Sequence, residues 1–120
     1  MTIPHETSPV YAAGAKLEEA KSAMILLHGR GASAQDILSL STYLNFPGMA
    51  YLAPQAEGSI WYPNRLIAPV ESNEPYLSAA IAKIDGLVKH VEAGGIPVEK
   101  IFIGGFSQGA SLSSEFVIRS

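Results

Sequence analysis

Cysteine is absent from this 120-residue chain, which excludes disulfides, a thiol nucleophile and cysteine-based zinc sites. Charge is sparse: 16% of residues are charged and the net charge is −3. With no basic cluster either, nucleic-acid binding lacks its electrostatic footprint. No apolar run approaches the ~18 residues of a membrane span. The first residues, Met1 to Glu6, have neither the basic start nor the apolar core of a secretory signal. Internal repeats and low-complexity tracts are missing too. No metal or cofactor is expected, and the cytoplasm is the default setting. At 48% hydrophobic residues, the chain can build a core within one domain over residues 1–120.

Apolar runs and their breakers set out the elements. Met24 to His28 is a nearly continuous apolar run ended by Gly29, a strand covered on both faces. The spacing predicts a helix over Ser33 to Leu44, with Ser33 as N-cap and Ile37, Leu38, Leu40 and Leu44 on its apolar face. Pro47-Gly48 breaks it, and Met49 to Ala53 gives a second strand closed by Pro54. Gln55 to Ser72 holds Pro63 and Pro69 and reads as a long loop, a kind of segment that often carries function. From Asn73 or Glu74 a helix carries Leu77, Ile81, Ile84, Val88 and Val91 at helical spacing, until Gly94-Gly95 and Pro97 end it. Ile101 to Gly105 is a third strand, and Ala110 to Arg119 is free of helix breakers. Val10 to Ala12 suggests a further strand; Lys16 to Lys21 fits a loop or a short helix. This alternation argues for α/β layering with parallel strands, whose reactive groups lie beyond the carboxyl ends of the strands.

One such end carries Gly105-Phe106-Ser107-Gln108-Gly109. A bare G-x-S-x-G arises by chance in very roughly a few per cent of chains this long, so the flanks decide. Here the serine stands on a tight turn between a buried-type strand and a helix, as a nucleophile elbow requires, with glycines two residues either side to avoid clashes. The other glycine-rich strand end, His28-Gly29-Arg30-Gly31, is expected on the same rim. Serine acyl transfer needs two backbone N–H groups aimed at the developing oxyanion. In the elbow architecture one belongs to Gln108 and the other to a glycine-lined loop after an earlier strand.

The sequence resembles the α/β-hydrolase superfamily, and within it the bacterial phospholipase/carboxylesterase family that includes acyl-protein thioesterases. The resemblance is carried by Leu27 to Ala32, Ala53-Pro54-Gln55, Trp61-Tyr62-Pro63 and Gly104 to Ala110, in matching order and spacing. It implies a mostly parallel sheet with flanking helices, Ser107 as nucleophile, the Arg30 and Gln108 amides as oxyanion hole, and Trp61 and Tyr62 against the substrate. It also implies a small-molecule ester or thioester substrate and an acyl-serine intermediate.

The resemblance spans essentially all 120 residues but only the N-terminal half of a family member, whose catalytic acid and histidine follow the nucleophile. Residues 108–120 hold neither aspartate nor histidine. Among the histidines present, His28 is read as bracing the glycine loop, His90 as lying at the edge of a buried helix face, and His5 as solvated. Ser111, Ser113 and Ser114 are read as helix decoration. The expected behaviour is little turnover by the isolated chain, and completion by a second segment or a partner chain, a homodimer being one form. Ile101 to Gly105 would otherwise leave an unpaired apolar edge. The competing reading is a non-catalytic hydrolase-like remnant or subunit. Nucleotide binding is disfavoured, because the glycine turn lacks the P-loop Lys.

Overall fold

A computed structural model describes residues 3–44, 46–65 and 68–119. Leu66 and Ile67, within the expected long loop, and Ser120, at the expected end of the last helix, lie outside the described residues. Four strands form one sheet: β1 (Val10–Gly14), β2 (Ser22–Leu27), β3 (Met49–Pro54) and β4 (Ile101–Gly105). Their spatial order is β1-β3-β2-β4. β2 runs parallel to both β3 and β4, whereas β1 joins β3 antiparallel, so the sheet is mixed rather than wholly parallel.

The central strand explains the layering. Along β2, Ile25 and Leu27 point to one face and Leu26 to the other, the period of two expected of a strand covered on both sides. Ile25 and Leu27 pack with Leu77, Ala80 and Ile84 of α3 (Tyr76–Ala93) and with Leu112 and Phe116 of α4 (Gln108–Arg119). On the opposite face Leu26 packs with Ala34 and Ile37 of α1 (Ala34–Leu38), and with Met49, Tyr51 and Ala53 of β3. Each fully buried aliphatic side chain contributes about 1.5–3 kcal/mol through the apolar surface it removes from water.

The helix expected over residues 33–44 is instead two short pieces, α1 and α2 (Ser41–Leu44). Ser33 does cap the first, accepting from the Asp36 amide at 3.1 Å. The interruption follows from hydroxyl side chains that compete for backbone groups. Ser39 donates to the Asp36 carbonyl at 2.6 Å and Thr42 to the Ser39 carbonyl at 2.9 Å. Leu40 and Leu44, expected on the buried face, are consequently exposed.

α3 starts at Tyr76, two or three residues later than the composition suggests, because residues 70–73 form a separate 3₁₀ turn. Its apolar positions behave as expected: Leu77, Ile84 and Val91 are buried and Ile81 and Val88 pack beside them. Leu17–Glu19 is also a 3₁₀ turn. Among the described residues β4 pairs with β2 alone, so it forms the sheet's edge and leaves Phe102 about half exposed. Within the described residues no helix is long and apolar enough to cross a membrane.

Candidate active site

Strand register brings the two glycine-rich ends together. Leu27 of β2 lies directly opposite Gly105 of β4. The Phe106 amide extends the ladder to the Leu27 carbonyl at 3.1 Å. The chain then turns at once into α4, with Ser107 at φ 56, in the left-handed region that costs a non-glycine residue about 1–3 kcal/mol. Sterics fix the neighbours. A Cβ on Gly105 would stand 2.4 Å from the Gly109 carbonyl carbon, and one on Gly109 would stand 2.0 Å from the Leu27 carbonyl oxygen. Both positions therefore admit only glycine if helix and strand are to approach this closely.

Ser107 is exposed and opens onto a cleft of ≈ 740 Å³. Arg30, Tyr62, Gln108 and Ser111 share that lining with it, as do Asn64 and Arg65. Among the described residues no protein group accepts a hydrogen bond from the Arg30 or Gln108 backbone N–H. No histidine or aspartate lines the cleft among them either.

The segment from Gln55 to Tyr62 holds these parts in place. Gln55 accepts from the Ala34 amide at 2.8 Å, capping α1, and reaches the Ser59 hydroxyl at 3.3 Å. Ser59 in turn accepts from the Gly31 amide at 2.8 Å, which pins the glycine loop after β2. The Gln108 side chain spans to the same segment: its Oε1 accepts from the Trp61 amide at 2.9 Å and its Nε2 donates to the Tyr62 carbonyl at 2.8 Å. Arg30 donates to the Pro63 carbonyl at 2.8 Å.

Two buried histidines complete the frame. His28 accepts at Nε2 from the Ala56 amide (3.0 Å) and donates from Nδ1 to the Gly29 carbonyl (2.7 Å). Both ring nitrogens are thereby committed, the tautomer is fixed, and the ring braces the loop. Burial holds His28 below the ordinary histidine value, against the opposing pull of the Gly29 hydrogen bond and the Asp36 charge. His5 is buried rather than solvated: Nε2 donates to the Trp61 carbonyl at 2.8 Å and Nδ1 accepts from the Glu57 amide at 2.9 Å. Burial lowers its pKa too, while the Trp61 carbonyl and Glu57 oppose that shift. His90 is exposed on α3.

Trp61 is fully buried between the two imidazoles, with ring centroids 5.2 Å from His5 and 5.0 Å from His28, and it is not part of the cleft wall. Tyr62 is part of it. Burial raises the Tyr62 phenol's pKa, opposed by the nearby Ser111 side chain, which lines the same cleft. The side-chain roles of Gln55, Gln108 and His5 were missed from sequence. For Gln55 and Gln108 the available signal was their place inside the shared motifs; for His5 there was none.

Comparison with known proteins gives the family and the fold. The chain is 30% identical to acyl-protein thioesterase 1 of Eremothecium gossypii, over 89% of its own length and 52% of the relative's. It superposes on a phospholipase/carboxylesterase from Dyadobacter fermentans with TM-score 0.90 and 43% identity, covering 94% of this chain and 54% of that one. Esterase PE8 superposes at TM-score 0.71 and 25% identity, covering 94% of this chain and 57% of the other. The chain thus spans about half the length of each of these relatives. A family model described as Phospholipase/Carboxylesterase matches residues 11–119, and the chain belongs to that family, with the partial α/β-hydrolase fold its strand order describes.

Proposed function

We propose that these residues carry the nucleophile and oxyanion hole of a serine esterase or thioesterase acting on small-molecule esters in the cytoplasm. One observation carries the reading: Ser107, strained at φ 56 between glycines that tolerate no Cβ, lines the same cleft as Arg30 and Gln108, whose backbone N–H groups have no acceptor among the described residues. This is a nucleophile elbow in its working context. The Ser107 oxygen attacks the ester carbonyl, the two amides donate to the resulting oxyanion, and the leaving group departs to give an acyl-serine that water hydrolyses. Each amide donor is worth on the order of 10²–10³ in rate.

The attacking hydroxyl must lose its proton to a base. His28 has both nitrogens committed to backbone groups, and His5 likewise. His90 is exposed on α3 and is not among the described residues that line the cleft. In this reading the base and the acid that orients it therefore come from outside these residues, in a second segment or a partner chain. Alone, the 120 residues are left with oxyanion stabilisation and binding, about 10³–10⁴ over water. The test is ester hydrolysis by the chain alone and by the chain joined to the C-terminal half of the Dyadobacter fermentans relative. Turnover should appear on joining and vanish with Ser107→Ala. Turnover at ordinary enzyme rates by the 120 residues alone would overturn this division of labour. Folded joined protein without turnover would favour the remnant reading.

A further inference from the structure

We propose that the cleft beside Ser107 selects esters or thioesters bearing an anionic group, a carboxylate or a phosphate, held by the guanidinium groups of Arg30 and Arg65. This rests on the hydrolase reading and adds the class of substrate. Two cations line the cleft and, among the described residues, no carboxylate does. That contrasts with the chain as a whole, whose net charge is −3. The N-terminal end of the 12-residue α4 opens at the same place and adds its positive pole.

The cations are also positioned. Arg30 spends one N–H on the Pro63 carbonyl at 2.8 Å, which orients the fork and leaves its other donors for a ligand. The backbone that carries Arg65 is fastened by buried Asn73: the Asn73 side chain accepts from the Asn64 amide at 2.6 Å and donates to the Arg65 carbonyl at 3.3 Å. Two carboxylates stand nearby. Glu115 is paired with Arg119 at 2.8 Å, and Glu57 lines an adjoining hollow that Arg30 also borders, so Arg65 is the cation of the pair that shares neither of these hollows with a carboxylate. Planar, forked guanidinium groups suit carboxylate and phosphate oxygens through paired charge-assisted hydrogen bonds.

The test is ligand binding to the Ser107→Ala chain, followed by NMR, with monomethyl succinate as anionic probe and dimethyl succinate as its neutral counterpart. The monoester should bind about tenfold tighter at low salt, with the advantage shrinking as salt rises. Arg65→Gln should remove most of that advantage and leave the diester unaffected, and Arg30→Gln with Arg65→Gln should abolish it. Lys89→Gln, on the outer surface of α3, should change nothing. Competition by inorganic phosphate and by acetate tells which anion the fork prefers. Equal affinity for the two probes, or an anion preference that Arg65→Gln leaves intact in a folded chain, overturns the proposal. In that case covalent labelling of Ser107 in the chain joined to the C-terminal half of the Dyadobacter fermentans relative would still uphold the hydrolase reading, whereas anion binding with no such labelling in the folded joined protein would sink that reading and spare this one.

Discussion

His28 and Trp61 hold each other twice: the indole Nε1–H donates to the His28 carbonyl at 3.0 Å, and the two rings stack with centroids 5.0 Å apart. Because His28 leads directly into Gly29 and Arg30, this pairing ties the loop behind the proposed oxyanion hole to the segment from Gln55 to Tyr62. Trp61→Phe keeps much of the ring's bulk but leaves a buried carbonyl without its donor, which costs about 1–3 kcal/mol. A lower urea midpoint with unchanged slope is the expected result. A variant as stable as the parent would show that packing alone holds the loop.

Gln108 offers a sharper test, because its two amide atoms face opposite kinds of partner. In Gln108→Glu one oxygen still accepts from the Trp61 amide, but the other then confronts the Tyr62 carbonyl with no proton between them. The variant should be destabilised by about 2 kcal/mol at neutral pH. Relative to the parent it should recover in acid, where a protonated carboxyl can donate. Chemical denaturation of both proteins at each pH reads this out, and a penalty independent of pH would contradict the assigned orientation of the amide.

Acid should weaken the fold through the two buried imidazoles. Burial depresses the folded-state pKa of His5 and His28 below the ordinary 6.5. As pH falls through that value the unfolded chain therefore takes up protons that the folded chain does not. Their contribution is fully present above 6.5, falls as pH drops toward the folded-state values, and levels off below them. Urea midpoints should decline between about pH 8 and pH 5, with a shallower decline in His5→Gln. The single tryptophan, lying between the two rings, gives a fluorescence signal for the same event. Midpoints that rise toward acid would contradict the burial of these rings as neutral groups.

Gly109→Ala tests how tightly the turn is built. Its methyl would stand 2.0 Å from the Leu27 carbonyl oxygen, so either β2 or α4 must move. The expected loss is about 3 kcal/mol, measured by thermal or urea unfolding. Gly86→Ala on α3, whose Cβ would meet nothing within 4 Å, is the control and should be neutral or slightly stabilising. Equal stability of the two variants would mean that strand and helix are not in close contact.

What could be read from sequence follows the range of the forces involved. β2, β3, β4 and α3 were legible because a buried run or a helical period is written within one segment. The Ser107 turn was legible for the same reason: its glycines answer a local steric demand. The break between α1 and α2 was not, since it depends on Ser39 and Thr42 hydroxyls choosing backbone partners over solvent. His5 was missed because its burial is created by Glu57 and Trp61, more than fifty positions away. Trp61 and Tyr62 are adjacent in sequence, yet one is enclosed between imidazoles and the other lines the cleft. Only the tertiary arrangement separates them.

The central claim is that one serine among many is set up to attack through its oxygen. Fluorophosphonate treatment of the chain joined to the C-terminal half of the Dyadobacter fermentans relative, followed by peptide mapping, measures this directly. The account expects the adduct on Ser107 ahead of every other serine, with the label lost in Ser107→Ala and retained in Ser111→Ala. Adducts scattered over several serines, or labelling that survives Ser107→Ala, would contradict it.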